Sequence, residues 1–421
     1  MADLTARVTG SRFGPLAVLA AVAAVLTGQS QLLWSAIPYW LTDYDVYVGA
    51  GDTLVAGMRL YDATFVTAFP NMKYIYTPFA SLLFVPFAIV PATVGKIAWT
   101  FLSLLALGGA LWIALRLAGI TSRRRLTALS AAALAAATFL APVQHNLLLG
   151  QINTFLVLLV LVDFAPGVPE RWRGYATGVA AGIKLTPLIF VPYLLLTGRT
   201  RAGLQAIAGF AATVAVGFLV LPADSTEYWL RGVFFDSSRM VQSDTFVNHS
   251  LPGLFGRLQG TVVAPHWSLA VAAVVGVAGL AAAVWAKRAG HDVVGVLVVA
   301  FTGLLVSPVS WMTHAVWVAP ALAWLAFAKW RTASAWPKVV LAVAVAWYVM
   351  PFWSLGMRVT GSGVPVQLTP WGDLLVTLTG NVVPAVVAIA LLPRWLKHLR
   401  PQGESSPAPT AREAGVTSAT L

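Results

Sequence analysis

Residues 42–62 read TDYDVYVGAGDTLVAGMRLYD, and the same polar stretch closes at residues 73–78 with KYIYTP. It contains four of the chain's aspartates, Asp43, Asp45, Asp52 and Asp62, whereas most of the chain is apolar with short basic clusters. The stretch directly follows a long apolar segment. A polar, aromatic segment in that position is where we expect the chemistry of the protein.

The composition around this stretch is that of a membrane protein. Of 421 residues, 58% are hydrophobic and 10% are charged, and the mean hydropathy is +0.79. A soluble domain of this length could not cover its surface with so few charges. Apolar runs close to the length that crosses a bilayer as a helix, about 20 residues, recur along the chain. The sequence therefore predicts an all-α polytopic membrane protein.

The net charge of +12 does not indicate nucleic-acid binding. Lys and Arg occur in short clusters between apolar runs, which is typical of cytoplasmic loops, so we expect membrane lipids rather than nucleic acid as partners. The chain has no cysteine, which excludes a disulfide framework and a thiolate nucleophile. The first apolar run, residues 15–34, is long for a signal peptide and is interpreted as a retained membrane helix.

Basic residues predict the topology. Arg7 and Arg12 precede the first apolar run, and the cluster at 123–125 marks a later cytoplasmic loop, so residues 43–62 should face outward. This reasoning predicts a multi-pass protein of the plasma membrane with both termini in the cytoplasm. Residues 1–400 would form one membrane domain, and 401–421 a disordered cytoplasmic tail. The expected outer loops are 35–77, 223–265 and 354–373.

Two apolar segments are interrupted. Residues 78–90 are too short to cross the membrane, and residues 174–197 are broken by GIKLTP at 182–187, with basic residues at both ends. Irregular backbone survives in a membrane only where it is buried in protein or lines a cavity. We therefore expect residues 174–197 to form a re-entrant hairpin that enters from the cytoplasm. In total the pattern predicts about 10–12 membrane helices, including short re-entrant ones.

The pair Asp43 and Asp45 has three interpretations. Asp-X-Asp is compatible with a metal and nucleotide-sugar site, because carboxylates bind hard cations. The predicted topology argues against it, since nucleotide sugars are cytoplasmic. A carboxylate at an outer membrane boundary could instead serve as a general base on an acceptor hydroxyl. The alternative without function is that the aspartates cap the following helix.

Other polar residues lie at predicted membrane depth or at the outer face. Lys184 lies in the interrupted segment, where an ionisable group indicates a functional site unless its side chain reaches to the interface. A polar turn is expected from Gln144 to Asn153, and its neutral amides suit sugar hydroxyls, although buried amides also join helices. His314 is framed by Trp311 and Trp317, which are also typical of an interfacial aromatic belt.

Six segments occur in an order that resembles a known family. They are DYDVY at 43–47, YIYTPFASLLFVPF at 74–87, GQINTFLVLLVLVD at 150–163, GIKLTPLIF at 182–190, NHSLPGLFGR at 248–257 and SPVSWMTHAVW at 307–317. Together they resemble glycosyltransferase family 87, the polyprenyl-phosphate-mannose-dependent mannosyltransferases of actinobacteria. These enzymes extend phosphatidylinositol mannosides and add mannose to lipomannan and lipoarabinomannan.

The resemblance implies a GT-C membrane fold and an inverting reaction at the outer face of the plasma membrane. The donor would be polyprenyl-phosphate-mannose, a substrate rather than a cofactor. The acceptor would be a mannosylated glycolipid or lipoglycan, and the product an α-(1,2) linkage. No cofactor and no metal are expected. Rival interpretations are a transferase that uses another polyprenyl-phosphate sugar, such as arabinofuranose or glucose, and a lipid-linked sugar transporter or flippase.

The resemblance also implies residue roles. Asp43 fits the family's essential aspartate, whose pattern is like D-[FLM]-x-V-Y, because residues 43–47 read D-Y-x-V-Y. Asp45 falls at the variable position and is the second choice as base. The family's S-W-x-H-H motif is matched at 310–314, with threonine replacing the first histidine, so His314 inherits a role near the acceptor or the phosphate. Lys184 corresponds to the family's K-L-T-P motif.

The remaining candidates complete the predicted site. His249 replaces a glutamine of the family's N-Q-S motif, a change that bears on acceptor choice. Catalysis is assigned to Asp43, His314 and Asp45. The donor phosphate is assigned to Lys184, His314 and Arg257. The residues assigned to the sugar or acceptor are Tyr47, Tyr76, His145, Gln151, Asn153, Asn248, His249 and Trp311.

Overall fold

The computed structural model describes residues 41–328 except 66, 68–70, 237–238, 240–247 and 262–264, together with 342, 344–345 and 348–349. The predictions for the first apolar run, the loop 354–373 and the tail 401–421 concern residues outside this described part.

Helices dominate the described part of the chain. The α-helices, numbered in chain order, are α1 Thr42–Val55, α2 Pro78–Leu82, α3 Val85–Ala88, α4 Ala92–Leu117, α5 Arg123–Ala137, α6 Ala141–Leu149, α7 Asn153–Phe164, α8 Tyr175–Ile183, α9 Phe190–Leu196, α10 Thr200–Val220, α11 Pro222–Ser225, α12 Leu251–Leu258, α13 His266–Arg288, α14 Asp292–Val306 and α15 Val318–Phe327. Short 3₁₀ helices span Thr186–Ile189, Val233–Phe235 and Met312–Trp317, and a π-helical turn spans Thr226–Leu230. Strands β1 Thr64–Phe65 and β2 Met72–Lys73 form a two-stranded antiparallel ribbon.

Three helices in the described residues, α4, α10 and α13, are long and apolar enough to cross a membrane. The pair α5 and α6 is bent by 81° and could form a fourth span. Helices α7, α14 and α15 are shorter but strongly apolar. The chain thus has the architecture of a helical membrane protein.

The interrupted segment 174–197 forms a hairpin, as predicted. Helix α8 runs beside α10, and its glycines allow this approach, because a Cβ at Gly178 would collide with the backbone of Ala206 and one at Gly182 with Thr213. The chain then breaks at Lys184, whose backbone is extended, and returns through the 3₁₀ turn and α9. Lys184 therefore lies at the tip of the hairpin.

One local prediction was wrong. Residues 144–146 were expected in a polar turn, but they lie inside α6. Pro142 occupies the first turn of that helix, where its fixed φ is compatible with helix and its missing N–H costs nothing. Gly150, with φ 71°, ends the helix in the left-handed conformation. The turn is confined to the residues that follow α6.

The segment expected as an outer loop, 35–77, also holds regular structure. Helix α1 buries Tyr44 and Tyr47 against α3 and α4, where Tyr47 packs on Phe84 and Trp99 with ring centroids 4.7 and 6.3 Å apart. The predicted loop 223–265 likewise contains α11 and α12. These buried aromatic contacts make α1 a part of the core rather than a surface connection.

Candidate active site

The residue directly before α1 contacts the end of α6. The N–H of Leu41, which has a left-handed φ of 59°, donates a hydrogen bond of 2.7 Å to the carbonyl of Leu148. The indole N–H of Trp99 donates to the carbonyl of Gly150 over 2.8 Å. The first contact holds the end of α6 against the start of α1, whose first turn carries Asp43, and the second holds the α6–α7 connection against α4.

Gln151 lies at the centre of the resulting cluster. Its Nε2 donates to Oδ2 of Asp43 over 2.7 Å. Its Oε1 accepts from the hydroxyls of Tyr47 and Tyr76, over 3.3 and 3.2 Å, and from Nδ2 of Asn153 over 3.3 Å. The two tyrosine hydroxyls also lie 2.8 Å apart. Both polar atoms of the Gln151 side chain thus form hydrogen bonds to protein, so Gln151 connects Asp43 to the two tyrosines and to Asn153.

The surroundings of Asp43 change its acidity. Enclosure by protein raises the pKa of the Asp43 carboxyl to about 6, although the hydrogen bond from Gln151 and the charge of Lys184 act in the opposite direction. This carboxylate is therefore a stronger base than an exposed aspartate while it is still ionised at neutral pH. Both properties are those of a general base.

Lys184 reaches the other end of the cluster from the tip of the α8–α9 hairpin. Its Nζ lies 2.7 Å from Nε2 of His314, 3.4 Å from Oδ1 of Asn153 and 3.5 Å from the hydroxyl of Tyr76. The ammonium also lies 5.2 Å from the centroid of the Tyr76 ring, within cation–π range. The hydroxyl of Thr77 donates to the carbonyl of Gly182 and ties the hairpin to α2.

His314 is held by the segment just before it. Its Nδ1 accepts the backbone N–H of Trp311 over 3.0 Å, and the indole ring stacks on the imidazole with centroids 5.7 Å apart. Because Nδ1 is an acceptor, a neutral imidazole carries its hydrogen on Nε2. Nε2–H can then donate to Nζ of Lys184 only while that amine is neutral, and once Lys184 is protonated both groups are donors. Such a pair is complementary to an anion that accepts from both.

Asn248 connects two loops. Its Oδ1 accepts from the backbone N–H of Ser310 over 3.0 Å and from the hydroxyl of Ser250 over 2.9 Å, and its Nδ2 donates to the carbonyl of Pro308 over 3.2 Å. A η-nitrogen of Arg257 donates to the carbonyl of Asn248 over 2.8 Å. These residues, predicted as ligands of substrate, thus fix the segment that leads into Trp311 and His314.

His249 is buried next to this junction. Its backbone N–H donates to the carbonyl of Ser310 over 2.7 Å, and its Nδ1 has no hydrogen-bond partner among the described residues. Burial and the nearby charges of Arg257 and His145 lower the pKa of His249 to about 3, so the ring is neutral. His145 therefore lies close to this region, on α6.

Asp45 takes a different place from Asp43. Its Oδ2 lies 2.9 Å from Nζ of Lys96 on α4, and both side chains are partly exposed. This ion pair is separate from the hydrogen bonds of Gln151.

Two residues next to the site, Lys96 and Thr77, were not among the candidates predicted from the sequence. A capping threonine before proline, as in YTP, was the available signal for Thr77.

The cluster formed by Asp43, Tyr47, Tyr76, Gln151, Asn153, Lys184 and His314 unites seven of the predicted residues. Among the described residues, no group of three or more His, Asp or Glu side chains could hold a metal ion.

Comparison with known proteins agrees with the resemblance seen in the motifs. The model of glycosyltransferase family 87 matches residues 74–308. A Mycobacterium tuberculosis protein named polyprenol-phosphate-mannose-dependent alpha-(1-2)-phosphatidylinositol mannoside mannosyltransferase is 33% identical over 71% of this chain and 73% of its own. Pentamannoside mannosyltransferases of the same donor class from M. tuberculosis and Mycolicibacterium smegmatis are 35% and 34% identical.

The two pentamannoside enzymes align with 67% of this chain, and the alignments cover 65% and 68% of their own length. No solved structure matches the chain significantly. The family model covers more than half of the chain. The chain belongs to glycosyltransferase family 87.

Proposed function

We propose that the protein transfers mannose from polyprenyl-phosphate-mannose to a hydroxyl of a mannosylated glycolipid, such as a phosphatidylinositol mannoside, or of a lipoglycan. The transfer inverts the anomeric centre and forms an α-(1,2) linkage. The proposal rests on one cluster, in which hydrogen bonds join Asp43 to Lys184 and His314, two of the residues assigned to the phosphate of the sugar donor. The names of the relatives support the donor and the linkage.

Asp43 is the base in this proposal. Its free carboxylate oxygen takes the proton of the acceptor hydroxyl while that oxygen attacks the anomeric carbon of mannose. Gln151 holds the other oxygen and thereby orients the group. A single displacement inverts the anomeric carbon and needs one base and no protein nucleophile. Asp43 precedes the residues matched by the family model, so its role rests on its place in the cluster.

Lys184 and His314 receive the leaving group. As the bond from the anomeric carbon to the phosphate oxygen breaks, the negative charge on the polyprenyl phosphate grows. The Lys184 ammonium and the His314 Nε2–H, both donors 2.7 Å apart, stabilise that charge. Stabilisation that is stronger in the transition state than in the ground state lowers the barrier. A phosphate is already a good leaving group, so we expect that the reaction needs no cofactor. This expectation stays a prediction.

The proposed fold is GT-C, with the site at the outer face of the plasma membrane. The cluster lies where α7 begins, at Asn153, and where α8 ends, at Lys184. Basic residues concentrate at the opposite ends of the helices, as with Arg116 in the last turn of α4 and Arg173 before α8. Positive charge marks the cytoplasmic side of short loops, which supports an outward-facing cluster.

The test is reconstitution with defined substrates. We expect the purified protein in lipid nanodiscs to transfer mannose from synthetic polyprenyl-phosphate-mannose to a phosphatidylinositol mannoside, with an α-(1,2) linkage seen by NMR. Polyprenyl-phosphate-arabinofuranose and polyprenyl-phosphate-glucose serve as matched donors. Preferential transfer from either of these would overturn the donor assignment. Movement of the lipid-linked sugar across the bilayer without a glycosidic product would identify a transporter instead.

A further inference from the structure

The end of the α8–α9 hairpin that lies opposite Lys184, its base, is held by carboxylates of two other helices. Arg199, three residues after α9, pairs with Asp292, the first residue of α14. Nη1 of Arg199 donates to Oδ1 of Asp292 over 2.9 Å, and Nη2 donates to Oδ2. The hydroxyl of Tyr193, on α9, donates to the same Oδ1 over 3.3 Å. The second arm of the hairpin is therefore anchored to α14 by a bidentate ion pair.

The first arm is anchored at its base to α7. Oδ2 of Asp163, a buried residue near the end of α7, accepts the backbone N–H of Thr177 over 2.7 Å. Thr177 lies in the first turn of α8, where N–H groups have no partner within the helix and the helix dipole favours negative charge. The next residue of α7, Phe164, also contacts the second arm, since Cζ of Arg199 lies 5.3 Å from the centroid of its ring. The two anchors are therefore neighbours.

The same two helices lead to the partners of Lys184 at the tip of the hairpin. Helix α7 begins at Asn153, whose Oδ1 lies 3.4 Å from Nζ of Lys184. The segment that follows α14 carries His314, whose Nε2 lies 2.7 Å from the same Nζ. The rise from Asn153 to Asp163 is about 15 Å at 1.5 Å per residue. The hairpin is thus held by α7 and by the α14 segment at its base and again at its tip.

We propose that the two anchors position the Lys184 ammonium in the active site. The inference rests on the proposed function, in which Lys184 binds the phosphate of the donor. A helical arm carries a displacement of its base to its tip, and hydrogen bonds there weaken when an atom moves by about 1 Å. The guanidinium fork of Arg199 fixes both the distance and the direction to its carboxylate partner, which a single ammonium does not. The anchors lie at the opposite end of the hairpin from the substrates, so their effect passes through Lys184.

Binding of polyprenyl phosphate, the released product, tests the position of Lys184. We expect Asp292→Asn to raise the Kd of a synthetic short-chain polyprenyl phosphate roughly tenfold. It should lower kcat by roughly 10- to 100-fold, since a misplacement of about 1 Å can cost about that much. The KM for the acceptor should stay at the wild-type value, because the acceptor hydroxyl meets Asp43 on α1.

A double-mutant cycle separates positioning from general damage to the fold. A Lys184→Met protein has no ammonium to position, so the addition of Asp292→Asn should raise the Kd no further. If Asp292 instead supports the fold in general, its loss should weaken binding by the same factor in both backgrounds. Thermal unfolding in nanodiscs establishes that each variant is folded.

Arg199→Lys tests the same anchor without loss of charge. It keeps a cation next to Asp292 but loses the fork, and it should show the same dependence on Lys184. Glu227→Gln is the matched control, because Glu227 pairs with Arg231 over 2.8 Å outside the hairpin and its side chain is 25% exposed, close to the 21% of Asp292. This control should keep the wild-type Kd and kcat, and a loss equal to that of Asp292→Asn would count against the proposal.

The outcomes separate the positioning role from the function. Equal factors in the two backgrounds, or wild-type Kd and kcat in folded Asp292→Asn and Arg199→Lys, would overturn the positioning role and leave the proposed function intact. The proposed function itself fails if the wild-type protein neither binds polyprenyl phosphate nor transfers mannose from polyprenyl-phosphate-mannose. A loss of affinity that disappears in the Lys184→Met background supports the inference.

Discussion

At the scale of single residues, two aspartates separated by one position have different environments. Asp43 accepts a hydrogen bond from Gln151 inside the cluster, whereas Asp45 pairs with Lys96 at a partly exposed site. The sequence predicted Asp43 as the base through its motif, and the contacts support that choice. It did not predict Gln151 as the connecting residue, because spacing along the chain does not reveal which side chains 108 positions apart will meet.

We expect Asp43→Asn to lower kcat by roughly 10²- to 10⁴-fold, the usual contribution of a positioned general base. The amide keeps the size of the side chain but cannot accept the proton. Asp45→Asn is the matched control and should retain most of the activity, because an exposed ion pair contributes about 1 kcal/mol or less to stability. Mannose transfer under saturating donor measures both. An Asp43→Asn enzyme with wild-type kcat would exclude Asp43 as the base.

The pH dependence of the reaction should report Asp43. Only the ionised carboxylate can accept a proton, so kcat/KM should increase as the pH rises through about 6, the pKa of the Asp43 carboxyl. In Gln151→Leu the carboxylate loses a hydrogen bond that favours its charged form, and the pKa should rise further.

The inflection of kcat/KM in Gln151→Leu should therefore move to higher pH than in the wild type. A variant that merely disturbed the fold would lower the rate without moving the inflection. Tyr47→Phe removes a donor to the other end of the same amide and provides the comparison. An unchanged inflection in Gln151→Leu would show that this amide does not tune the base.

At the scale of elements, the α8–α9 hairpin positions Lys184. The break in this hairpin was predictable, because Gly182, Lys184 and Pro187 lie close together within an apolar segment. The polar turn at 144–146 was predicted wrongly, since its polar side chains hid a helix bounded by Pro142 and Gly150. Hydropathy reports which side chains meet lipid or water, whereas the ends of a helix depend on backbone conformation.

Close packing of α8 on α10 can be tested with Gly178→Val. The new Cβ would collide with the backbone of Ala206 and lie 3.0 Å from Cα of Gly209, so the helices must separate. We expect a loss of about 1–3 kcal/mol of stability, as is usual for overpacking, and a reduced kcat as Lys184 moves. Thermal unfolding and mannose transfer measure the two effects.

Gly108→Ala on α4 is the control for this substitution. Its Cβ would lie 3.7 Å from Leu134, which is an ordinary contact, and alanine favours helix over glycine by about 1 kcal/mol. This variant should be as stable as the wild type or more so. Equal stability of Gly178→Val and the wild type would contradict tight packing between α8 and α10.

At the scale of the whole molecule, composition was enough to predict a helical membrane protein, and ordered motifs were enough to predict the family. The GT-C topology, the 10–12 membrane helices and the single-domain organisation stay predictions. What composition could not supply is the folding of the first outer segment into the core. Helix α1 is held there by the contacts of Tyr44 and Tyr47 with Trp99 on α4, and the indole N–H of Trp99 bonds in turn to Gly150.

The predicted orientation can be tested directly because the chain has no cysteine. A single Arg59→Cys, at a half-exposed side chain next to Glu227, should react with a membrane-impermeant maleimide in intact cells. A single Arg124→Cys, in the first turn of α5, should react only after the cells are opened. Both variants should keep their transfer activity. Labelling of Arg124→Cys alone in intact cells would reverse the topology.

The chain of hydrogen bonds from Asp43 through Gln151 and Tyr76 to Lys184 has a consequence for where charge is located during the reaction. A donor phosphodiester carries one negative charge, and the released phosphomonoester carries nearly two at neutral pH. In the proposed reaction Asp43 becomes neutral when it takes the proton of the acceptor hydroxyl. The net charge of the site is therefore conserved, but one negative charge is displaced from the end at Asp43 to the end at Lys184 and His314. The two ends are linked by side chains that stay uncharged, so the interior that separates them never has to accommodate a charge of its own.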